Sequence, residues 1–236
     1  GSASFSFGQT IHNTLQKFYE KVLELNSVKQ VSLFSSVIET KNKTNEIKVP
    51  SLDDLLKIYE DSWIDDWYES STQKESYYKK GKEILRIFYQ TQENNWTIPV
   101  SLESAFKIKI GDHFISGRID RIDKLPDGTL EIVDYKTGKT KEKLVGDDKN
   151  QLLIYQIAAQ SLPKFRNIGE VSKLSFYYLE SGVKLEFVGN EKDLEKLQDK
   201  VIKTIEQIKS YNFEPKPSKF TCEHCDFKSI CQFREL

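Results

Sequence analysis

The stretch that decides the fold spans residues 117–136 and reads GRIDRIDKLPDGTLEIVDYK. Apolar and polar side chains alternate on both sides of Pro126-Asp127-Gly128, which predicts two antiparallel strands joined by a three-residue hairpin loop. Proline fixes φ at the first turn position, and glycine supplies the left-handed residue that follows it. A two-residue Asp-Gly turn is the alternative, and it would shift the pairing by one residue.

The three-residue loop places Asp120 opposite Asp134 and Arg118 opposite Lys136. Because side chains alternate along a strand, Asp120, Asp134 and Lys136 are predicted to share one face. Two carboxylates facing each other repel, and in a half-buried groove this is costly unless a cation lies between them. Two carboxylates with a nearby lysine therefore point to a Mg²⁺ or Mn²⁺ site that acts on a phosphodiester.

A purely structural interpretation of the same hairpin stays open. Asp120 and Asp134 would then be solvent-facing strand residues, balanced by Arg118, Arg121 and Lys136. Short mixtures of acidic and basic residues are common on protein surfaces, so the hairpin taken by itself does not decide between the two interpretations.

Composition sets the broad class. The chain has 236 residues, a net charge of −1 and a mean hydropathy of −0.55, and it has no apolar run of membrane-spanning length, which predicts a soluble protein. Net charge near zero argues against a polycation that coats nucleic acid non-specifically, although a local basic groove remains compatible with it. Three cysteines argue against a disulfide framework and favour a reducing compartment, so we expect a cytoplasmic location.

Hydrophobic periodicity predicts a mixed α/β layer with a helical N-terminal portion. Residues 26–50 are predicted to be irregular or weakly extended. The pattern predicts helices over residues 8–25, 51–69, 73–94, 149–161 and 191–211, and strands over residues 96–110, 113–123, 129–136, 173–179 and 183–188.

Five motifs, in this order along the chain, resemble the PD-(D/E)xK nuclease superfamily and its RecB-like branch, which includes nuclease domains fused to UvrD-like helicases. They are FGQTIHNTL at residues 7–15, GRIDRID at residues 117–123, DYKTGK at residues 134–139, QLLIY at residues 151–155, and the C-terminal cysteines. The resemblance implies a restriction-endonuclease-like core, with a mixed central sheet flanked by helices. It also implies the roles of several residues.

By this resemblance, the metal ligands are His12, Asp120, Asp134 and the backbone carbonyl of Tyr135, and Lys136 is the catalytic lysine that acts with the two aspartates. Gln151, Tyr155 and Arg118 would line the site or contact DNA, with Glu103 as a second-tier candidate on the first strand. Gln151 and Tyr155 could equally pack the helix on the sheet.

The cysteines Cys222, Cys225 and Cys231 have the spacing C-x₂-C-x₅-C. Iron–sulfur clusters and structural zinc usually take four ligands. The resemblance implies a [4Fe–4S] cluster whose first cysteine lies upstream of residues 7–15, so we expect the cluster to be incomplete in this chain and complete in a longer parent protein. Zinc, with His224 as a cramped fourth ligand, or three free thiols are the alternatives.

Together these features predict a metal-dependent DNA nuclease domain of a repair or recombination helicase–nuclease, acting on DNA that we expect to be single-stranded. The helicase would belong to the same polypeptide, and no membrane partner is expected. The predicted organisation is a tag remnant at residues 1–2, a helical portion at 3–95, the catalytic core at 96–211 and a cysteine-containing tail at 212–236. The alternatives are a catalytically inactive DNA-binding or scaffold module of the same fold, and a metal-cysteine interaction module attached to an α/β domain.

Overall fold

A computed structural model of the protein describes residues 1–27, 47–211 and 213–235. Most of the segment predicted to be irregular, residues 26–50, lies outside these ranges. The helices are α1 (Ala3–Asn26), α2 (Leu52–Asp61), α3 (Ser71–Gln92), α4 (Gly146–Ser161), α5 (Pro163–Arg166), α6 (Glu191–Lys209) and α7 (Lys219–Glu223). The strands are β1 (Pro99–Ile110), β2 (His113–Lys124), β3 (Leu130–Lys136), β4 (Val171–Tyr178) and β5 (Val183–Phe187).

The five strands form one mixed sheet in the order β1-β2-β3-β4-β5. Only the β3–β4 pair in this sheet is parallel, and the connection between these two strands contains α4 and α5. A parallel pair needs a crossover of this length, whereas the antiparallel pairs are joined by short turns. The predicted α/β class, with a mixed sheet between helices, is confirmed.

Each face of the sheet is covered by a separate hydrophobic core. On one face, Ile132 of β3 packs in a core that includes Leu152 of α4 and Leu197 of α6. On the other face, Val133 packs in a core built by α1, α2 and α3, to which Phe18 belongs. Since both faces are covered, β3 is buried along almost its whole length.

The hairpin adopts the predicted three-residue loop. The backbone N–H of Leu125 donates to the carbonyl oxygen of Thr129 (2.8 Å), and Gly128 has a φ of 87°. The β2–β3 ladder pairs Arg121 with Val133 and Lys124 with Leu130. This is the register that the three-residue loop predicts, and the two-residue alternative is wrong.

The prediction of one helix from residue 51 to residue 69 is wrong. The helix ends at Asp61, because the next residues bond to α1 instead of continuing the helical ladder. Lys17 Nζ donates to Ser62 Oγ (3.0 Å), and the backbone N–H of Ile64 donates to Thr10 Oγ1 (3.1 Å).

The remaining boundaries differ by a few residues, and two short helices were not predicted. Pro163 is the first residue of α5, a position where a backbone N–H has no partner within the helix, so proline is well tolerated there. The Ser218 side chain caps α7. Within the described ranges, no helix combines the length and apolar character needed to cross a membrane.

Candidate metal and nuclease site

Three residues from three elements converge at the end of the sheet near α1. One ligand atom each of His12, Glu103 and Asp120 lies within 4.8 Å of the other two. His12 Nδ1 is 3.4 Å from Asp120 Oδ2 and 3.7 Å from Glu103 Oε1. Among the residues that the structure describes, this is the only group of three or more histidine, cysteine, aspartate or glutamate side chains so arranged.

The position of His12 follows from the amphipathic character of α1. Its neighbour Ile11 is fully buried, and His12 lies at the edge of that buried stripe with 24 % of its side chain exposed. Its other ring nitrogen, Nε2, is 3.2 Å from the backbone carbonyl oxygen of Tyr135. The ring therefore links α1 to β3 while Nδ1 faces the carboxylates.

At Glu103 in β1 and at Asp120 in β2, the alternation of side chains between the two faces of the sheet is interrupted. The ladder pairs Leu102 with Arg121 and Ser104 with Ile119, and it skips Glu103 and Asp120. Glu103 has a φ of 43°, a left-handed conformation that non-glycine residues adopt at a cost of the order of 1–3 kcal/mol. At this position the carboxylates of Glu103 and Asp120 both face His12.

A second group of polar side chains surrounds Asp134 on β3. Gln151 Nε2 donates to Asp134 Oδ1 (2.8 Å), and Gln151 Oε1 accepts from Lys136 Nζ (3.0 Å). Tyr155 Oη, one turn further along α4, lies 3.4 Å from Asp134 Oδ1. Gln151 thus holds the aspartate and the lysine in one arrangement.

The other carboxylate oxygen of Asp134 can accept further hydrogen bonds or bind a cation. Oδ2 lies 2.6 Å from Lys136 Nζ, yet it accepts no hydrogen bond of regular geometry from any described residue. The side chain is only 3 % exposed. A buried carboxylate oxygen without a full set of donors is costly, and a bound cation is one way to satisfy it.

The pKa values of the site reflect this crowding of charge. Burial and then the charge of Asp120 raise the pKa of Asp134 to about 7, against the opposing effect of Lys136. Burial lowers the pKa of His12, but its hydrogen bonds to Asp120 and Glu103 outweigh burial and raise it to about 10. His12 is therefore protonated at neutral pH, and a metal that binds this ring must displace a proton.

The surface interpretation of the hairpin is wrong. Asp120 is 8 % and Asp134 is 2 % exposed, so these carboxylates are buried. Arg118 is exposed and lies beyond the paired part of the hairpin, with its Nη1 at 3.7 Å from Glu103 Oε2. It therefore borders the site at Glu103, and its predicted pairing opposite Lys136 does not occur among the bonded pairs of β2 and β3.

Arg121 is a charged residue that is almost completely buried: it is 1 % exposed and lies behind the site. Its guanidinium donates to both carboxylate oxygens of Asp123, to Thr97, and to Tyr135 Oη (3.0 Å), and it stacks over the ring of Tyr19 (4.1 Å). A fully paired buried arginine is a specific cross-link. It ties β2 to β3 directly behind the residues that carry the carboxylates.

The cysteines do not join this site. Cys222 is in α7, and Cys225 and Cys231 follow it, all three as free thiols. Cys222 Sγ accepts a hydrogen bond from the backbone N–H of Glu235 (3.4 Å), which holds the end of the described chain against α7.

The donor set of the site fits a divalent cation. Glu103 and Asp120 offer carboxylate oxygens and His12 offers one imidazole. Asp134 lies outside this group of three but within reach of the charges of Asp120 and His12, and its Oδ2 is short of donors. Mg²⁺ and Mn²⁺ prefer oxygen ligands, and Mn²⁺ also accepts an imidazole. The structure places Glu103, a second-tier candidate in the sequence, in the group with His12 and Asp120, at a left-handed backbone position that nothing in the sequence marks.

The chain is similar to a known protein family and to a curated relative. The family profile described as "PD-(D/E)XK nuclease superfamily" matches residues 1–232. A subunit of the ATP-dependent helicase/deoxyribonuclease of Streptococcus mutans is 33 % identical over 110 residues, which are 44 % of this chain and 10 % of that protein. The match thus spans about a tenth of the length of that relative.

Among solved structures, the one titled "Crystal structure of SSO0001" aligns with 98 % of this chain and 86 % of its own, at 14 % identity and a TM-score of 0.40.

Proposed function

The chain belongs to the PD-(D/E)XK nuclease superfamily, and on that basis we propose that it is a metal-dependent nuclease that hydrolyses phosphodiester bonds in DNA. The observation that carries the proposal is the buried convergence of His12, Glu103 and Asp120 beside the Asp134–Lys136 pair. A group of acids with one lysine, packed this closely at a strained backbone position, is costly for stability and is typical of a reaction centre.

In this proposal, His12, Glu103, Asp120 and Asp134 hold a Mg²⁺ or Mn²⁺ ion, with the Tyr135 carbonyl beside them. When bound, the ion supplies an activated water and neutralises charge on the phosphate. Glu103 thereby moves from second-tier candidate to full ligand, because its carboxylate is within 3.7 Å of the His12 ring.

Lys136 acts on the reacting phosphate or on the attacking water. Its ammonium is held between Asp134 Oδ2 and Gln151 Oε1, and 29 % of the side chain is exposed. A partly exposed ammonium at this place can position a water or stabilise developing negative charge. Gln151 and Tyr155 orient the pair, and their contact with DNA remains part of the proposal.

Cleavage of a labelled single-stranded DNA tests the proposal. We expect products with Mg²⁺ or Mn²⁺, none with EDTA, and restored cleavage when Mn²⁺ is added back in excess, because the carboxylates need the ion to accept substrate. The readout is product formation on a denaturing gel. DNA binding with no cleavage in either metal would contradict catalysis and would favour a non-catalytic module of the same fold.

The similarity to a helicase/deoxyribonuclease subunit supports a wider context. We propose that the chain is the nuclease part of a longer repair or recombination protein that also contains a helicase, that it is cytoplasmic, and that its DNA is single-stranded. We propose a division into a helical portion (3–95), a catalytic core (96–211) and a cysteine-containing tail (212–236).

For the tail, we propose that Cys222, Cys225 and Cys231 are three ligands of a [4Fe–4S] cluster completed by a cysteine elsewhere in the parent protein, with zinc as the less favoured metal. We expect the parent protein, purified without oxygen, to be brown, to contain iron, and to melt at a higher temperature than its Cys222→Ala variant. The cluster would act as a cross-link between distant segments. A colourless, iron-free parent protein would exclude it.

A further inference from the structure

The β1–β2 hairpin extends well beyond the rest of the sheet. The β1–β2 ladder continues to the pair Ile110–His113, whereas β3 pairs with β2 only from Arg121 to Lys124. We call residues 104–119 the arm. It begins at the interrupted position that carries Glu103 and Asp120, so the arm starts directly at the candidate metal site.

The two faces of the arm differ sharply. The inner face is apolar and packs on α4 and α6, with Phe106, Ile108 and Ile119 in the buried core. The outer face is exposed along its whole length. The directly paired residues of the outer face are Ala105 with Arg118, Lys107 with Ser116, and Lys109 with Phe114.

The outer face carries three cations and no carboxylate among these six residues. Arg118 is 61 % and Lys109 is 58 % exposed at the side chain, and the partner of Lys109 is Asp112 in the turn at 3.5 Å. An exposed pair of this kind is weak and leaves the lysine available. Solvated cations on a regular strand face bind favourably to a phosphate backbone.

Phe114 is the second observation, because a large apolar side chain has no packing reason to be there. It is 63 % exposed on a strand whose opposite face is buried. Lys107 Nζ lies 4.8 Å from the centre of its ring. A lysine that can bind a phosphate thus lies beside a ring that can stack on a base.

The outer face leads into the metal site through Arg118. Its Nη1 is 3.7 Å from Glu103 Oε2, and the other oxygen of Glu103 faces His12. A chain of phosphates that followed the arm would therefore reach the proposed metal ligands without crossing an uncharged surface.

We propose that the outer face of the arm binds single-stranded nucleic acid, with Lys107, Lys109 and Arg118 on successive phosphates and Phe114 stacked on an unpaired base. This rests on the proposed nuclease function and adds to it the surface that delivers the strand. A single strand is favoured over a duplex, since a phenylalanine ring can stack only on a base that is not already paired and stacked on both sides. Charge complementarity selects the strand as the occupant of the face.

Binding of a fluorescent oligothymidylate tests the arm, measured by anisotropy in a Lys136→Ala background so that Mn²⁺ can be present without cleavage. We expect the triple variant Lys107→Gln/Lys109→Gln/Arg118→Gln to bind about tenfold more weakly or worse. The slope of its log affinity against log salt concentration should become less steep by about 2, since each lost contact with a single strand removes about 0.7 from that slope. A merely structural role would not change this slope.

Two further variants separate the contributions. Phe114→Ala should weaken binding about fivefold or more with an unchanged salt slope, because it removes stacking and no charge. The control Lys192→Gln/Lys196→Gln/Lys203→Gln removes three exposed lysines from α6, on the other side of the molecule from the outer face, and should bind like the parent. With Lys136 intact, the Lys107→Gln/Lys109→Gln variant, which keeps Arg118 beside Glu103, should show a raised KM and an unchanged kcat.

The outcomes distinguish this proposal from the proposed function. Unchanged affinity and salt slope in the arm variant, or equal losses in the α6 control, would overturn the role of the arm even if the parent cleaves DNA. A parent that binds the strand through the arm but never cleaves it would support the arm and contradict the nuclease. A parent that binds no oligonucleotide overturns the arm as well.

Discussion

Lys136→Ala should lower the rate of Mn²⁺-dependent DNA cleavage by about 10²- to 10⁴-fold, the range expected when a proton-transferring or charge-stabilising group is removed. The ammonium group is the only described cation within hydrogen-bond distance of both Asp134 and Gln151, so no neighbour replaces it. The measurement is the single-turnover rate with enzyme in excess, which reports the chemical step and excludes product release.

The fold should survive this substitution, because the Lys136 side chain is partly exposed and lies at the end of β3. We therefore expect DNA affinity and the far-UV circular dichroism spectrum to remain close to those of the parent. Lys173→Ala is the matched control, since Lys173 is on the neighbouring strand and is also paired with a carboxylate, Glu186. Cleavage by Lys136→Ala at the parental rate would show that Lys136 is not the catalytic lysine.

Much of the fold could be predicted from local sequence, because local physics decides it. The loop at Pro126-Asp127-Gly128 fixes the hairpin register by its own turn chemistry, and alternation assigns the faces of the strands beside it. The end of α2 could not be predicted, because it depends on a hydrogen bond donated by Lys17 to Ser62 and one accepted by Thr10 from Ile64, over more than 40 residues of sequence.

The site shows the same division. Asp120, Asp134 and Lys136 are recognisable from their spacing, and the structure places Gln151 beside them as expected. Glu103 depends on a left-handed backbone that no sequence pattern announces.

The burial of Arg121 is a second feature of the site that the sequence could not reveal. In the sequence it is one of several charged residues in an alternating strand, and only its partners, including Tyr19 from a distant helix, show that it is internal. Long-range partners decide whether a charge is at the surface or in the core.

Asp134→Asn should stabilise the metal-free protein at about pH 8 relative to the parent, and that advantage should shrink as the pH falls toward 5 and vanish below about pH 4. Burial and the charge of Asp120 raise the pKa of this carboxyl from 3.8 to about 7. Between those values the folded state holds a proton that the unfolded state has released. The stability associated with protonated Asp134 is therefore fully present below about pH 4 and is lost as the pH rises through about 7.

His12 also contributes stability that is lost as the pH rises, over a higher pH range than for Asp134. Its raised pKa stabilises the fold below 6.5, and that stability is lost as the pH rises toward about 10. The measurement is the difference between the unfolding midpoints of the two proteins at each pH in EDTA. Because the charge of Asp134 helps to raise the pKa of His12, this difference also includes a smaller His12 contribution in the variant. Asp127→Asn is the control: hydrogen bonds from Thr129 lower the pKa of this exposed carboxyl, so its dependence on pH has the opposite sign.

Adding Mn²⁺ at about pH 8 should reduce the stability advantage of Asp134→Asn over the parent. A ligand that binds only the folded state at about 100 times its dissociation constant adds about 2.7 kcal/mol to the free energy of unfolding. The parent should gain this in full, whereas Asp134→Asn should gain less, because an amide is a poorer ligand than a carboxylate. The same buried charge thus destabilises the protein without the ion, and binding of the ion offsets part of that cost. If Asp134→Asn and the parent gain equally from Mn²⁺, Asp134 does not bind the metal, and the proposed ligand set must then exclude it.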